Sequence, residues 1–352
     1  MCWIAGAGRR MTLPMLRTFK LPPIDPFLLA LTGAVALASV LPARGPAVRW
    51  FELATDFAIA LLFFLHGAKL SREAILDGIG NWRLHAMVLA STYVLFPVIG
   101  LALTGLEAGW ANPQFASGLL FLSLLPSTVQ SSIAFTAMAR GNVAAAVCSA
   151  SLSNLLGIVA TPLLLALFGG IGGGAAPSLG AVWTIVVQLL LPFIAGHLLR
   201  PWIGGFVARY KAILQPVDRS SILLVVYTAF SAAVVGGIWH RIDLADMAVL
   251  LANCAVMLAL VIGGTLAMAR LARLPREDAI VLLFCGSKKS LVSGVPMAGA
   301  LFPAAQVGQV VLPLMVFHQL QLFVCAVIAG RYARAPMTAE GDPRSARSTA
   351  SG

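Results

Sequence analysis

Long apolar runs separated by short polar, Gly and Pro breaks dominate the chain. A helix needs about 20 predominantly apolar residues to cross a hydrocarbon core of ~30 Å. Read that way, the runs predict ten spanning helices, near 25–42, 51–69, 84–106, 114–139, 143–168, 179–199, 219–239, 246–269, 277–302 and 307–330. The segment Ser71 to Arg83 mixes Arg72, Glu73, Asp77 and Trp82 with apolar residues, and reads as an interfacial link rather than a span.

Two predicted spans carry polar patches at mid-length. Leu119-Leu120-Phe121 and Leu282-Leu283-Phe284 lie 163 residues apart, and at that offset Ser127 meets Ser290 and Gln130 meets Ser293. The patches Pro126-Ser127-Thr128-Val129-Gln130-Ser131-Ser132 and Gly286-Ser287-Lys288-Lys289-Ser290 therefore nearly coincide. Pro126 removes a backbone donor, and Gly286 beside Ser287 lowers helical preference, so both patches read as helix breaks. Unwound backbone at membrane depth is tolerated where it lines a cavity or is buried in protein. Paired interruptions in corresponding positions of two halves point to a transporter binding site; a proline kink in a hydroxyl-rich packing interface is the plainer alternative. The expected organisation is a cytoplasmic segment at 1–20, a five-helix repeat at 21–168, a second of opposite topology at 178–331, and a disordered cytoplasmic tail at 335–352.

Composition agrees with the span pattern. The 352 residues are 59% hydrophobic and 11% charged with a mean hydropathy of +0.92, against about 45–50% apolar and ~25% charged in soluble domains. That leaves no room for a soluble catalytic domain. The net charge of +11 would suit a nucleic-acid partner, but the basic residues sit mostly in short loops, so a lipid bilayer and no nucleic acid is the expected environment. Nineteen of the 24 basic residues fall on one side of the predicted spans; Arg44, Arg49 and Arg241 fall on the other, and Lys288 and Lys289 lie within a span. By the positive-inside rule this predicts a multi-pass inner-membrane protein with both termini cytoplasmic. The first 20 residues lack the apolar run of a signal peptide, and initiation at Met11 or Met15 is left open. The five cysteines form no disulfide framework or metal-spaced cluster.

Candidate chemistry follows from the polar residues at depth. A lysine at the centre of a span costs about 2.5–3.5 kcal/mol, so two in succession need compensation. Neighbouring helical residues point in different directions, and a helix break resolves this: carbonyls at the end of the first half-helix carry partial negative charge and stabilise a cation without a carboxylate. Asp56, Asp246 and Asp278 all lie near span ends. One ammonium is therefore free to face a water-filled cavity and attract an anionic substrate, unless it snorkels to the interface. The candidate substrate- and ion-binding residues are Ser127, Thr128, Gln130, Ser131, Ser132, Ser149, Ser153, Asn154, Ser287, Lys288, Lys289, Ser290 and His318. His318, followed by Gln319 and Gln321, is a candidate proton carrier; Gln188 is a further polar residue at mid-span. No metal ligand or catalytic residue is assigned.

Five motifs carry a resemblance to a known family: Asn81-Trp82-Arg83-Leu84-His85, Leu125 to Ser132, Ala139-Arg140-Gly141-Asn142, Thr161-Pro162-Leu163-Leu164, and Phe284 to Leu291. Together they make the chain, from Leu21 to Arg331, resemble bacterial members of the bile acid:sodium symporter superfamily, in the branch of the vertebrate and fungal calcium-homeostasis carriers. The resemblance implies ten spans in two inverted five-helix repeats, a panel and a core domain, and discontinuous fourth and ninth helices that cross at their breaks. It also implies sodium ions behind the crossing, held by Ser and Asn of the fourth helix, hydroxyls of the fifth, and Glu and Gln of the ninth. Ser131 and Ser132 match the fourth-helix pair, but Phe284 stands at the Glu position and Lys288-Lys289 at a Gln-Asn pair. The resulting expectation is a lysine ammonium in place of one sodium ion, with Na+ or H+ as the coupling ion if any.

The function expected is a secondary active transporter of a small organic anion, working by alternating access. The alternative is a membrane regulator of calcium homeostasis without net solute transport. An intramembrane enzyme lacks a supporting carboxylate pair, and an ATP-driven pump lacks a G-x-x-x-x-G-K-[ST] loop in this sequence.

Overall fold

The computed structural model describes residues 26–69, 81–106, 113–169, 179–237 and 242–334. The expected terminal segments 1–20 and 335–352 and most of the link Ser71 to Arg83 lie outside the described residues, as does the side chain of Gln188. Among the described residues all regular structure is helical: α1 Pro26–Val40, α2 Pro46–Lys69, α3 Trp82–Leu106, α4 Pro113–Leu124, α5 Gln130–Met138, α6 Val143–Phe168, α7 Leu179–Arg209, α8 Lys211–Val235, α9 Leu244–Leu271, α10 Arg276–Gly286, α11 Leu291–Leu301 and α12 Ala304–Arg334. Among the described residues seven stretches are long and apolar enough to cross a bilayer, with α10 and α11 taken together as one of them. This is a multi-pass membrane protein, and its exposed surface fits: Trp183, Leu191, Leu198 and Trp202 face outward along α7, as a lipid-facing helix requires.

Both sequence-predicted interruptions are real. α4 stops at Leu124 and α5 starts at Gln130, on either side of Pro126. α10 stops at Gly286 and α11 starts at Leu291. Two other helices outrun their predicted bounds by eight residues or more. α7 continues through Arg200 and Pro201 to Arg209, and α8 begins at Lys211, eight residues before the expected start at 219. Pro216 and Asp218 look like a polar break, but Asp218 forms an ion pair with Lys69 of α2, which lets the helix run through it.

The helices fall into two adjoining groups. α1, α2, α7 and α8 pack on one another, and α3 to α6 with α9 to α12 surround the two breaks; α8 also packs on α11 and α12, and α7 on α6, which joins the groups. Within the first group α2 and α7 meet backbone to backbone. A Cβ added at Gly67 would lie 2.0 Å from the Phe193 carbonyl oxygen, and one at Gly196 would lie 2.0 Å from that of Phe64. Small residues permit this approach where no hydrophobic force distinguishes helix from lipid. In the second group every residue from Ile280 to Leu291 is buried, so its two lysines face protein and not lipid.

Two of the sequence motifs converge at one end of that group. Asn81 Nδ2, preceding α3, donates to Asp278 Oδ2 at 2.8 Å, and Asn142 Nδ2 donates to Asp278 Oδ1 at 3.2 Å. Asn142 also caps α6, its Oδ1 accepting from the Ala145 N–H at 3.1 Å. The carboxylate thus ties the starts of α3, α6 and α10 together. Asp278→Ala removes the acceptor of both amides and is expected to cost about 1–2 kcal/mol, scaled down for partial exposure, as a lower thermal midpoint in detergent; Asp278→Asn should cost less.

Candidate functional site

The two breaks lie against each other, and their open backbone groups are closed mainly across the gap. Ser290 N–H donates to the Pro126 carbonyl at 2.9 Å. At the end of α10, four successive carbonyls accept from serine hydroxyls: Leu283 from Ser287 at 2.5 Å, Phe284 from Ser132 at 2.9 Å, Cys285 from Ser127 at 2.5 Å and Gly286 from Ser91 at 2.8 Å. A helix end at membrane depth requires such partners, since no water is there to supply them. Serines 127, 132 and 287 therefore spend their hydroxyl protons on the backbone of α10.

The end of α4 is closed differently. Thr161 of α6 donates to the Leu124 carbonyl at 2.9 Å. The Lys289 ammonium donates to the carbonyls of Ser123 at 2.8 Å, Leu125 at 2.6 Å and, from α3, Thr92 at 2.8 Å. A cation at a helix C-terminus offsets its partial negative charge, and an ammonium has three donors for these three acceptors. The lysine thus finds main-chain carbonyls, as expected, but on the other broken span and on α3, not on its own span. Its backbone is clamped by Gln321 of α12, whose Oε1 accepts from Lys289 N–H at 2.8 Å while Nε2 donates to the Lys289 carbonyl at 2.8 Å. Nε2 also lies 2.8 Å from His318 Nδ1. Because the backbone contacts orient the amide, Nδ1 is the acceptor in this arrangement.

Lys288 has a different environment. It is also fully buried, yet its ammonium makes one long hydrogen bond, to Ser131 Oγ at 3.4 Å, and lies 4.3 Å from the centre of the Phe135 ring and 5.6 Å from that of Phe284. Ser131 sits in the first turn of α5, whose N-terminal amides carry partial positive charge. An ammonium and a helix N-terminus side by side make this the electropositive part of the crossing.

A third group of polar residues joins α6 to both breaks. Asn154 Nδ2 donates to the Ser127 carbonyl at 2.6 Å and to that of Ala150 at 3.1 Å, while its Oδ1 accepts from Ser293 Oγ at 2.6 Å. Ser153 Oγ accepts from Ser127 N–H at 3.0 Å, and Ser290 Oγ accepts from Ser293 N–H at 3.1 Å as the cap of α11. Asn154→Leu leaves the Ser127 carbonyl unpaired and takes the acceptor from the Ser293 hydroxyl, which keeps its bond from Ser290 Oγ, and is expected to cost about 1–3 kcal/mol in unfolding measurements. Asn154→Asp, which keeps the acceptor for Ser293, should cost less.

Of the thirteen candidates, Ser127, Ser131, Ser132, Ser153, Asn154, Ser287, Lys288, Lys289 and Ser290 are brought to the crossing, and His318 joins it through Gln321. Thr128 is buried in the first break; Gln130 is exposed. Ser149 is engaged elsewhere, 2.7 Å from His85 Nδ1 of α3. Ser293 and Gln321, noted in the sequence, were left out of the candidate set, and the whole contribution of α3 was missed. There Ser91, Thr92 and Tyr93, whose hydroxyl donates to the Ser153 carbonyl at 2.6 Å, lie in a π-helical turn at Ser91–Leu95. Pro97, inside an otherwise apolar run, was the available signal.

Residues 25–334 match the model of the SBF-like CPA transporter family. The chain is 55% identical over 311 residues to the Escherichia coli K12 protein named "Putative symporter YfeH", covering 88% of this chain and 93% of that one. It is 55% identical over 310 residues to "Uncharacterized protein PA2026" of Pseudomonas aeruginosa PAO1, with the same coverage. With "Sodium/bile acid cotransporter 7-A" of Xenopus laevis it shares 27% identity over 283 residues, 78% of this chain and 80% of the relative.

Proposed function

We propose, from the premise that this chain belongs to the SBF-like CPA transporter family of the bile acid:sodium symporter superfamily, that it carries a small organic anion by alternating access at the crossing of its two broken spans. Membership makes it a membrane transporter and not an enzyme. The observation that carries the rest is Lys288: a buried ammonium with one long hydrogen bond, beside the N-terminus of α5. Burying a charge with so few partners is costly, and an anionic substrate group would supply what is missing.

The reading has ten spans in two inverted five-helix repeats, at 21–168 and 178–331, with α4–α5 and α10–α11 as the interrupted fourth and ninth spans. In it α1, α2, α7 and α8 form the panel, and the remaining helices form the core that moves against it. Supporting it are the 163-residue offset and the matched helix stops at Leu124 and Gly286. Both termini are cytoplasmic, in an inner membrane, as the basic residues argue.

Sodium is named in the Xenopus relative. In this chain an ammonium stands beside Ser131, where the family resemblance implies a sodium ligand. The Lys288 cation takes the place of one sodium ion, leaving coupling to a proton, to a single sodium, or to neither. Solute flux into vesicles holding the purified protein, assayed with a panel of small organic anions, tests the reading. Saturable uptake of one anion, absent from empty vesicles, is the expected result. Calcium flux altered in cells without any solute flux in vesicles would favour a regulatory role instead.

A further inference from the structure

We infer that the three carbonyls around Lys289 Nζ form a built site for a monovalent cation of ammonium size, filled in this chain by its own side chain. The inference does not depend on what the protein carries, and it lies apart from the Ser131–Lys288 contact.

The site follows from where two helices lose their hydrogen bonds. In α3 the Phe96 N–H donates to the Ser91 carbonyl, one residue further back than an α-helix would place it, and Pro97 has no N–H. The Thr92 carbonyl is thereby deprived of both its possible helical donors and turns to Lys289 at 2.8 Å. In α4 the Ser127 N–H, which would serve Ser123 in an unbroken helix, donates to Ser153 Oγ instead at 3.0 Å. That frees the Ser123 carbonyl, and the break at Pro126 frees that of Leu125, for the same ammonium at 2.8 and 2.6 Å. The faces of Phe96 at 4.1 Å and Tyr93 at 6.0 Å close the site with further affinity for a cation. Three neutral oxygens converge at hydrogen-bonding distance with no carboxylate among them, so the ligand class is a monovalent cation, and the three donors of a primary ammonium fit best.

The test uses full-length Lys289→Ala in detergent, with thermal unfolding as readout. Titration is with n-propylammonium chloride, whose three carbons and nitrogen replace the atoms from Cγ to Nζ that the substitution removes. Tetramethylammonium chloride and n-propanol serve as controls. The variant is expected to unfold at a lower temperature than wild type, and propylammonium to recover most of the loss saturably. Neither control should do so, and wild type and Lys289→Met, whose cage is filled, should not respond to propylammonium. No recovery, or equal recovery with either control, would overturn the inference. If Lys289→Ala does not fold, Pro97→Ala decides the matter. Returning an N–H at position 97 gives helical donors back to α3 and withdraws Thr92 from the site, so its midpoint is expected to fall. A rise, the usual result of removing an interior-helix proline, would overturn the inference.

Discussion

Lys288→Met is expected to give a folded protein, at least as stable as wild type, that binds its substrate more weakly and transports it more slowly. The side chain is fully buried, its ammonium has one 3.4 Å hydrogen bond, and the rest of its surroundings include the rings of Phe135 and Phe284. Exchanging such a poorly compensated buried charge for an apolar chain of similar volume is neutral or stabilising by about 1–4 kcal/mol in comparable cases. The same exchange removes the cation that we propose to face the substrate, and a lost charge-assisted hydrogen bond of about 1.5–3 kcal/mol corresponds to a roughly 10- to 100-fold weaker binding. Thermal unfolding and ligand titration on one preparation read both effects. Stability and binding falling together would mean that Lys288 is a structural residue.

Gly67→Val and Gly196→Val are each expected to prevent accumulation of folded protein. An added Cβ at either position would lie 2.0 Å from a carbonyl oxygen of the partner helix, and the next atoms, at 2.8 to 3.1 Å, are also backbone. Backbone cannot swing aside as a side chain does, so α2 and α7 must separate, exposing the packed faces of Leu62, Phe63 and Phe193. Overpacking in a well-filled core costs about 1–3 kcal/mol where side chains yield, and more is expected here. Gly33→Val, where a Cβ meets nothing within 4 Å, is the control and should accumulate normally. Monodisperse protein after detergent extraction is the measurement.

Much of the fold was legible because hydrophobic length is a one-dimensional signal. Pro126 and the Gly286-Ser287 pair announced the two interruptions in the same way, through local backbone chemistry. The buried lysines were legible as a problem, since insertion cost demands compensation wherever it comes from. What was not legible is which carbonyls compensate. Lys289 is 164 residues from Leu125 and 197 from Thr92, and no periodicity reports a contact made by two helix breaks meeting. Ser131 and Ser132 look equivalent in the sequence, yet on α5 they diverge: Ser132 caps Phe284 and Ser131 meets Lys288. The polar patches were visible, but the division of labour within them depends on helix phase. The π turn in α3 was hidden because a proline in an apolar run has several structural outcomes, and the sequence alone does not choose among them.

The central claim is that transport occurs at this crossing with the Lys288 ammonium in place of a sodium ion. Uptake of the identified anion into proteoliposomes, with sodium present or absent and at one acidic and one alkaline pH, tests it most directly when wild type, Lys288→Ala and Lys289→Ala are compared. The account predicts uptake that needs no more than one sodium ion and that changes in rate or in ion dependence when Lys288 is replaced. Strong sodium dependence of unit slope or higher, unaffected by either lysine substitution, would contradict it.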